Sequence, residues 1–284
     1  MKRVLLAGAT GYLGRFVLRE LVLRGYPVKA LVRDGGKIQA DNHQGLEVYE
    51  AEITDPQSLK GCCNGMDAVI STVGITRQKD GLSYMEVDYQ ANVNLLQEAR
   101  SAGVDKFIYV SALNADTLTH LAICRAKELF VDTLKNSGVG YCVIRPNGFF
   151  SDMAEFFSMA QRGRVYLFGR GQFRSNPIHG ADLAAVCVDA IASVEREIEV
   201  GGPEILSHEH IARIAFATLG KTPRITCIPD WLRKSILRLL PFLTKQSFHG
   251  PIEFFMTVMA LDMIAPRYGN HTLKEFFSEL SNQG

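Results

Sequence analysis

The stretch Val4-Leu5-Leu6-Ala7-Gly8-Ala9-Thr10-Gly11-Tyr12-Leu13-Gly14-Arg15-Phe16-Val17 decides the fold of this chain. A short apolar run breaks into three glycines at three-residue spacing and then takes up helical periodicity. That order predicts a strand, a tight turn and a helix whose N-terminus opens onto a phosphate. Gly8 is expected to make the turn, Gly11 to let the backbone approach a pyrophosphate, and Gly14 to let the helix lie close on the strand. Three glycines alone are a weak signal, so the surrounding pattern has to support them.

Downstream, strands of about six residues alternate with helices. The expected strands are Val28–Arg33, Leu46–Ala51, Ala68–Val73 (ending in Gly74), Lys106–Ser111 and Tyr141–Pro146. Helices are expected over Arg15–Arg24 (closed by Gly25), from Thr54-Asp55-Pro56 onward, over about 88–102, and over Ala122–Asn136. Such alternation means right-handed βαβ units, hence an α/β fold of the Rossmann type with a doubly wound parallel sheet. From Asn147 the alternation loosens into the aromatic segment Phe149-Phe150, Met153, Phe156-Phe157, then a short strand at Asn176–His179 and a helix over Ala181–Ser193. The expected organisation is a dinucleotide-binding domain over residues 1–150. A smaller C-terminal substrate lobe over 151–284 would close over the crevice where such sheets bind ligands.

Composition narrows the class. The chain has 284 residues, 47% hydrophobic and 21% charged, as ordinary globular proteins do. A formal charge of +1 gives no reason to expect nucleic acid as a partner. Cys62, Cys63, Cys124, Cys142, Cys187 and Cys227 are scattered without metal-ligand spacing, which reads as free thiols in a reducing cytoplasm. Met1-Lys2-Arg3 leads straight into the first strand, so no cleavable leader is expected. No apolar run reaches the length of a spanning helix. These features point to a cytoplasmic protein with a small-molecule substrate.

Arg33 ends the second strand, where a carboxylate would bond the ribose hydroxyls of NAD. An arginine suits a 2′-phosphate, because its planar fork can grip two oxygens. NADP(H) is therefore the expected cofactor, with Asp34 keeping NAD(H) possible.

Five motifs occur in order: Gly8-Ala9-Thr10-Gly11-Tyr12-Leu13-Gly14, Ala30-Leu31-Val32-Arg33, Val110-Ser111-Ala112, Arg125-Ala126-Lys127 and Ile144-Arg145-Pro146-Asn147-Gly148-Phe149. Together they resemble the atypical short-chain dehydrogenase/reductases, in the NmrA-like branch that includes isoflavone-reductase-like and divinyl-reductase-like enzymes. The resemblance covers roughly the first 190 residues. It implies bound NADP(H), but the branch contains both reductases and cofactor-sensing regulators without activity. It also implies a serine at Ser111 and a lysine at Lys127 beside the nicotinamide ribose. The family's proton-donating tyrosine position holds Ile123, which cannot donate a proton. Two replacements are open. His120 could share a helix face with Lys127 if that helix begins early enough. Alternatively Lys127 itself could assist hydride transfer to an activated carbon–carbon double bond.

Other cofactor contacts are expected from Thr10, Tyr12 and Leu13 in the turn, and from Thr72-Val73-Gly74, where glycine permits close approach. Glu52-Ile53 is expected to border the adenine. Pro146-Asn147-Gly148-Phe149 could wall the nicotinamide pocket or pack between lobes. The polar run Thr76–Asp80 could face solvent or substrate. His208-Glu209-His210 has the wrong spacing for metal ligation on a helix, and helix capping near Ser207 is the simpler reading. Ser111 lacks the turn of a hydrolase elbow. Trp231–Leu243 interleaves Arg233, Lys234 and Arg238 with apolar residues; burial against the lobe or a partner is favoured, with peripheral membrane contact as an alternative.

Overall fold

A computed structural model describes residues 1–38, 45–75, 81–244 and 246–282, without the side chains of 241 and 246–248. The chain forms two compact units. The first comprises residues 1–145 and 183–198, the second residues 146–182 and 199–284. The sequence suggests one cut after residue 150; the observed division is discontinuous because the chain returns to the sheet after residue 182.

The elements of the first part are β1 (Val4–Ala7), α1 (Tyr12–Leu23), β2 (Val28–Val32), β3 (Leu46–Glu50), β4 (Ala68–Ser71), α2 (Asn92–Ser101), β5 (Lys106–Val110), α3 (Ala122–Lys135) and β6 (Gly140–Pro146). After α4 (Phe150–Gln161), β7 (Val165–Phe168) and β8 (Arg174–Ser175) come α5 (Gly180–Asp189) and β9 (Glu197–Val200). The sheet runs in the order β3-β2-β1-β4-β5-β6-β9, and the strand pairs from β3 through to β6 are parallel. At the far edge Val143 donates to the Arg196 carbonyl (2.8 Å) and Asn147 to that of Val200 (2.9 Å), so β9 runs the same way. β1, β2 and β4 are buried along their whole length, as strands covered on both faces must be. The chain leaves β1 toward β2 on one side and toward β4 on the other. That reversal opens a crevice at the carboxyl ends of β1 and β4.

Two local expectations are corrected. Thr54-Asp55-Pro56 starts no helix: successive i+3 turns run from Asp55 to Met66. Gly61 and Gly65 at φ +81° and +69° interrupt any helical continuation. The helix expected from Asp88 begins instead as a π-helical turn over Met85–Ala91 before continuing as α2. In the first core, Leu5, Leu59, Cys62, Cys63, Phe107, Tyr109 and Phe130 pack together.

The second unit adds β10 (Leu206–Ser207), α6 (His208–Thr218), β11 (Ile225–Ile228), α7 (Asp230–Leu243), α8 (Gln246–Val258) and α9 (Leu273–Asn282). Its core gathers Phe150, Phe156 and Phe157 from α4 with Phe216 of α6 and Phe277 of α9. The short strand expected at Asn176–His179 is displaced: β8 pairs with β10, and Ile178 makes a single bridge to Phe149. Asn176 does not extend the β8–β10 pair because its backbone is engaged elsewhere: its N–H donates to the Met263 carbonyl at 3.3 Å and its carbonyl accepts the Gly202 N–H at 2.8 Å. Ser207 caps α6 by accepting the His210 N–H at 3.1 Å.

His208, 3% exposed, opens α6 beside Phe156, and burial pushes its imidazole down from 6.5 to about 4. The unfolded chain therefore takes up this proton first as pH falls. Stability from the neutral ring is complete above about pH 6.5 and is lost on the way to about pH 4, approaching ~3 kcal/mol. Urea unfolding over that range should show the slope, and His208→Leu should flatten it.

Candidate dinucleotide site

A cleft of about 210 Å³ lies at the carboxyl ends of β1 and β4. Four loops build it. Gly8, Thr10 and Gly11 come from the turn after β1; Leu31, Val32 and Arg33 end β2. Ala51–Thr54 follow β3, and Thr72–Ile75 follow β4, with Leu82 and Val87 completing the wall. Ordinary small-molecule pockets enclose about 300–1,000 Å³, so this volume suits a cleft holding part of an extended ligand.

The glycine turn has little steric freedom. Gly8 sits at φ +84°, and a Cβ there would meet Thr72 Oγ1 at 2.6 Å. A Cβ on Gly14 would overlap the Gly8 carbonyl, so α1 lies directly on the turn. At Gly11 a Cβ would stand 3.2 Å from the Gly8 oxygen. Gly11 caps α1 without any side-chain hydrogen bond, and the first turn carries no acidic residue. A phosphate would therefore meet backbone N–H groups and the positive end of the helix with no competing carboxylate.

At the end of β2 the two candidate side chains diverge. Arg33 lines the cleft. Asp34 is folded onto its own turn, where one carboxylate oxygen accepts the Gly36 N–H at 3.1 Å and the other lies 3.6 Å from Lys37 Nζ. Glu50 holds the same turn by accepting the Gly35 N–H at 2.8 Å. Glu52 lines the cleft while its carboxylate accepts the hydroxyl of Thr54 at 3.0 Å.

Beneath the Thr72–Ile75 backbone lies a buried polar cluster of which sequence reasoning found Lys127 but not Asp88 or Tyr109. Asp88, fully buried in the π-helical turn, accepts the Ile75 N–H at 3.2 Å and lies 2.9 Å from Lys127 Nζ. The Lys127 side chain is 12% exposed, and its ammonium stands over the Tyr109 ring at 5.6 Å. Burial works most strongly against this ammonium, but Asp88 and Tyr109 together outweigh it and hold the lysine protonated above its ordinary range. Burial likewise pushes the Tyr109 phenol up. A Cβ on Gly74 would meet Asp88 at 2.7 Å and Lys127 Nζ at 3.0 Å, so the lysine lies beneath this glycine, which lines the cleft while Lys127 itself does not.

Two asparagines fasten the loops. Asn92 accepts the Ser71 hydroxyl at 2.6 Å and donates to the Val73 carbonyl at 3.4 Å and the Asp88 carbonyl at 3.0 Å. Asn94 donates to the Ile53 and Thr54 carbonyls at 3.2 and 3.4 Å. The signal for both was present: amides at positions where α2 is otherwise apolar and buried.

Of the residues anticipated, Gly8, Thr10, Gly11, Arg33, Glu52, Ile53, Thr72, Val73 and Gly74 line the cleft together. Tyr12, Leu13 and Gly14 lie behind the turn in α1, with Tyr12 edge-on to Phe16 at 5.4 Å. Ser111 donates to Glu128 at 3.1 Å, and Arg145 grips that carboxylate at 2.7 and 2.9 Å. His120 shares no helix face with Lys127: it is exposed, and α3 begins only at Ala122 because Leu121 is still extended. Ile123 is buried. Pro146, Asn147, Gly148 and Phe149 belong to the second unit. There Asn147 donates to Asn176 at 2.8 Å and to the Met263 carbonyl at 2.6 Å. Thr76–Asp80 lie outside the described residues. Among the described residues no cluster of His, Cys, Asp or Glu could hold a metal ion.

The switch-point cleft, its glycine turn and its uncapped helix define a nucleotide-binding Rossmann protein. The chain belongs to the NAD(P)H-binding family, whose model matches residues 8–193. Its relatives are consistent with the resemblance to the NmrA-like atypical short-chain dehydrogenase/reductases. It is 27% identical to the chloroplastic divinyl chlorophyllide a 8-vinyl-reductase of Oryza sativa subsp. indica, over 99% of this chain and 79% of that protein. It is 26% identical to the photosystem II assembly factor Ycf39 of Guillardia theta, over 80% of this chain and 73% of that protein. Its fold matches that of an NADPH-dependent quinone oxidoreductase of Escherichia coli solved with NADPH, at TM-score 0.76 and 20% identity, covering 98% and 100% of the two chains.

Proposed function

We propose that this chain is an NADP(H)-dependent reductase of a small, largely apolar acceptor such as a quinone or an enone. The observation that supports NADP over NAD is the divergence at the end of β2, where Arg33 lines the cleft and Asp34 is engaged in its own turn. When bound, the cofactor supplies a hydride. Gly8 and Gly11 would hold its pyrophosphate, Arg33 its 2′-phosphate, and Glu52-Ile53 would border its adenine. Lys127, fixed by Asp88 under Gly74, would hold the ribose hydroxyls on the nicotinamide side. With no tyrosine to donate a proton, an acceptor whose reduced form takes its proton from water suits this site better than an unactivated aldehyde. The rice relative, named for reduction of a vinyl group, supports the same chemistry.

A second reading is supported by Ile123 and Ser111. A buried isoleucine stands at the acid position, and the serine hydroxyl is bonded to Glu128. Both suit a protein that binds NADP(H) without using it and signals through a protein partner. The aromatic residues of the second unit do not weigh against this reading, since Phe150, Phe156, Phe157 and Phe277 form that unit's own core.

Titration of NADPH and NADH, followed by NADPH oxidation with quinones, enones and aldehydes, separates the readings. NADPH should bind tighter than NADH, and Arg33→Ala should weaken NADPH roughly 10- to 100-fold while sparing NADH, the loss of a charge-assisted pair. Unchanged NADPH affinity in that variant would refute the cofactor assignment. Tight binding without oxidation by any acceptor would leave the sensor reading.

A further inference from the structure

Helix α7 shows its apolar side to solvent. Trp231, Phe242 and Leu243 are 67%, 84% and 77% exposed. Leu232, Ile236 and Leu239 are exposed as well, so of the two burials expected for this segment, against the lobe or against a partner, the first does not occur for these side chains. At about 100° per residue these six side chains fall within an arc of roughly 140° on one side of the helix. The opposite side is the packed one: Arg233 is held there by Asp230 at 2.7 Å and donates to the Met256 carbonyl of α8 at 3.3 Å. Leu237 and Leu240 lie on that side too and are only partly exposed.

Two cations edge the apolar arc. Lys234 is paired to Asp230 at 2.9 Å but remains 71% exposed. Arg238 is exposed and makes no ion pair among the described residues. Asp230, at the start of α7 and already shared by Arg233 and Lys234, is the sole carboxylate of this helix.

We propose that α7 docks this protein on an anionic lipid bilayer, lying in the interface plane. Its apolar arc would enter the boundary between headgroups and acyl chains, with Trp231 at headgroup level. Lys234 and Arg238 would meet lipid phosphates. A second copy fits the face less well. A twofold contact would set the same patch against itself, and α7 has no free carboxylate to pair with the opposing cations. This inference stands apart from the cofactor cleft and does not depend on it. No helix among the described residues is long and apolar enough to cross a membrane, so the contact is peripheral.

Cosedimentation with vesicles tests it. The protein should pellet with two parts phosphatidylcholine to one part phosphatidylglycerol, pellet less with phosphatidylcholine alone, and be released by raised salt. Leu239→Glu combined with Phe242→Glu should abolish pelleting with thermal melting unchanged, since both side chains are exposed. Lys234→Ala combined with Arg238→Ala should weaken anionic-vesicle binding roughly tenfold or more, at about fivefold per basic residue. Absence of pelleting, or equal pelleting on neutral vesicles, would overturn the proposal. So would a concentration-dependent dimer, seen by analytical ultracentrifugation, that Leu239→Glu dissolves.

Discussion

Asp88→Asn is expected to destabilise the protein by about 3–5 kcal/mol, the usual result of leaving one member of a buried ion pair without its counter-charge. The ammonium of Lys127 would lose a carboxylate 2.9 Å away in a setting where little water can replace it. Urea unfolding measures the change. Adding Lys127→Met should recover most of the loss, because removing both charges leaves neither unpaired. Cofactor binding separates support from contact. Asp88→Asn should weaken NADPH by displacing Lys127, because one amide oxygen cannot serve both the Ile75 N–H and the ammonium. The double variant should regain stability without regaining affinity. Equal recovery of both would show that Lys127 supports the floor and does not touch the cofactor.

The second large effect is expected at Gly14. A Cβ there overlaps the Gly8 carbonyl, so Gly14→Val must push α1 off the turn. Overpacking of this kind costs about 1–3 kcal/mol or more, and the displaced helix N-terminus should lower NADPH affinity at least ~100-fold, about 2.7 kcal/mol. Gly11→Ala makes the informative comparison. Its Cβ would stand 3.2 Å from the same oxygen, a contact that a few tenths of an ångström relieve. Stability should then hardly move, while affinity falls because the methyl group occupies the approach of the pyrophosphate. Isothermal titration of both variants, beside their melting curves, checks the contrast.

These two positions also mark how much could be read from the chain. Gly14 was legible because its reason is local: a strand, a turn and a helix follow within fourteen residues, and only glycine lets the third lie on the second. Arg33 was legible for the same reason, at the end of a strand whose period was clear. Asp88 was not. Its partner is 39 positions away on another helix, and the π-helical turn that aims it has no periodicity to reveal it. Asn92 and Asn94 were readable as amides in an apolar helix, but the carbonyls they serve lie in loops that only the folded chain brings near. His120 was left open between a helix face and a loop, because the start of α3 depends on Leu121, whose extended backbone no propensity dictates.

By itself, then, the sequence determined the parallel α/β sheet, the glycine turn at its switch point and the cation at the end of β2; that Ile123 stands where a tyrosine would be expected is what the family resemblance implies. The first three are carried by local patterns: short-range periodicity, φ/ψ tolerance, and side-chain chemistry at a countable spacing. Only the tertiary structure decided that Lys127 is pinned by Asp88, that Ser111 is bonded to Glu128, and that α7 presents its apolar arc outward. Each of those depends on which distant groups share a buried space or leave a face uncovered, and burial is a property of the packed chain.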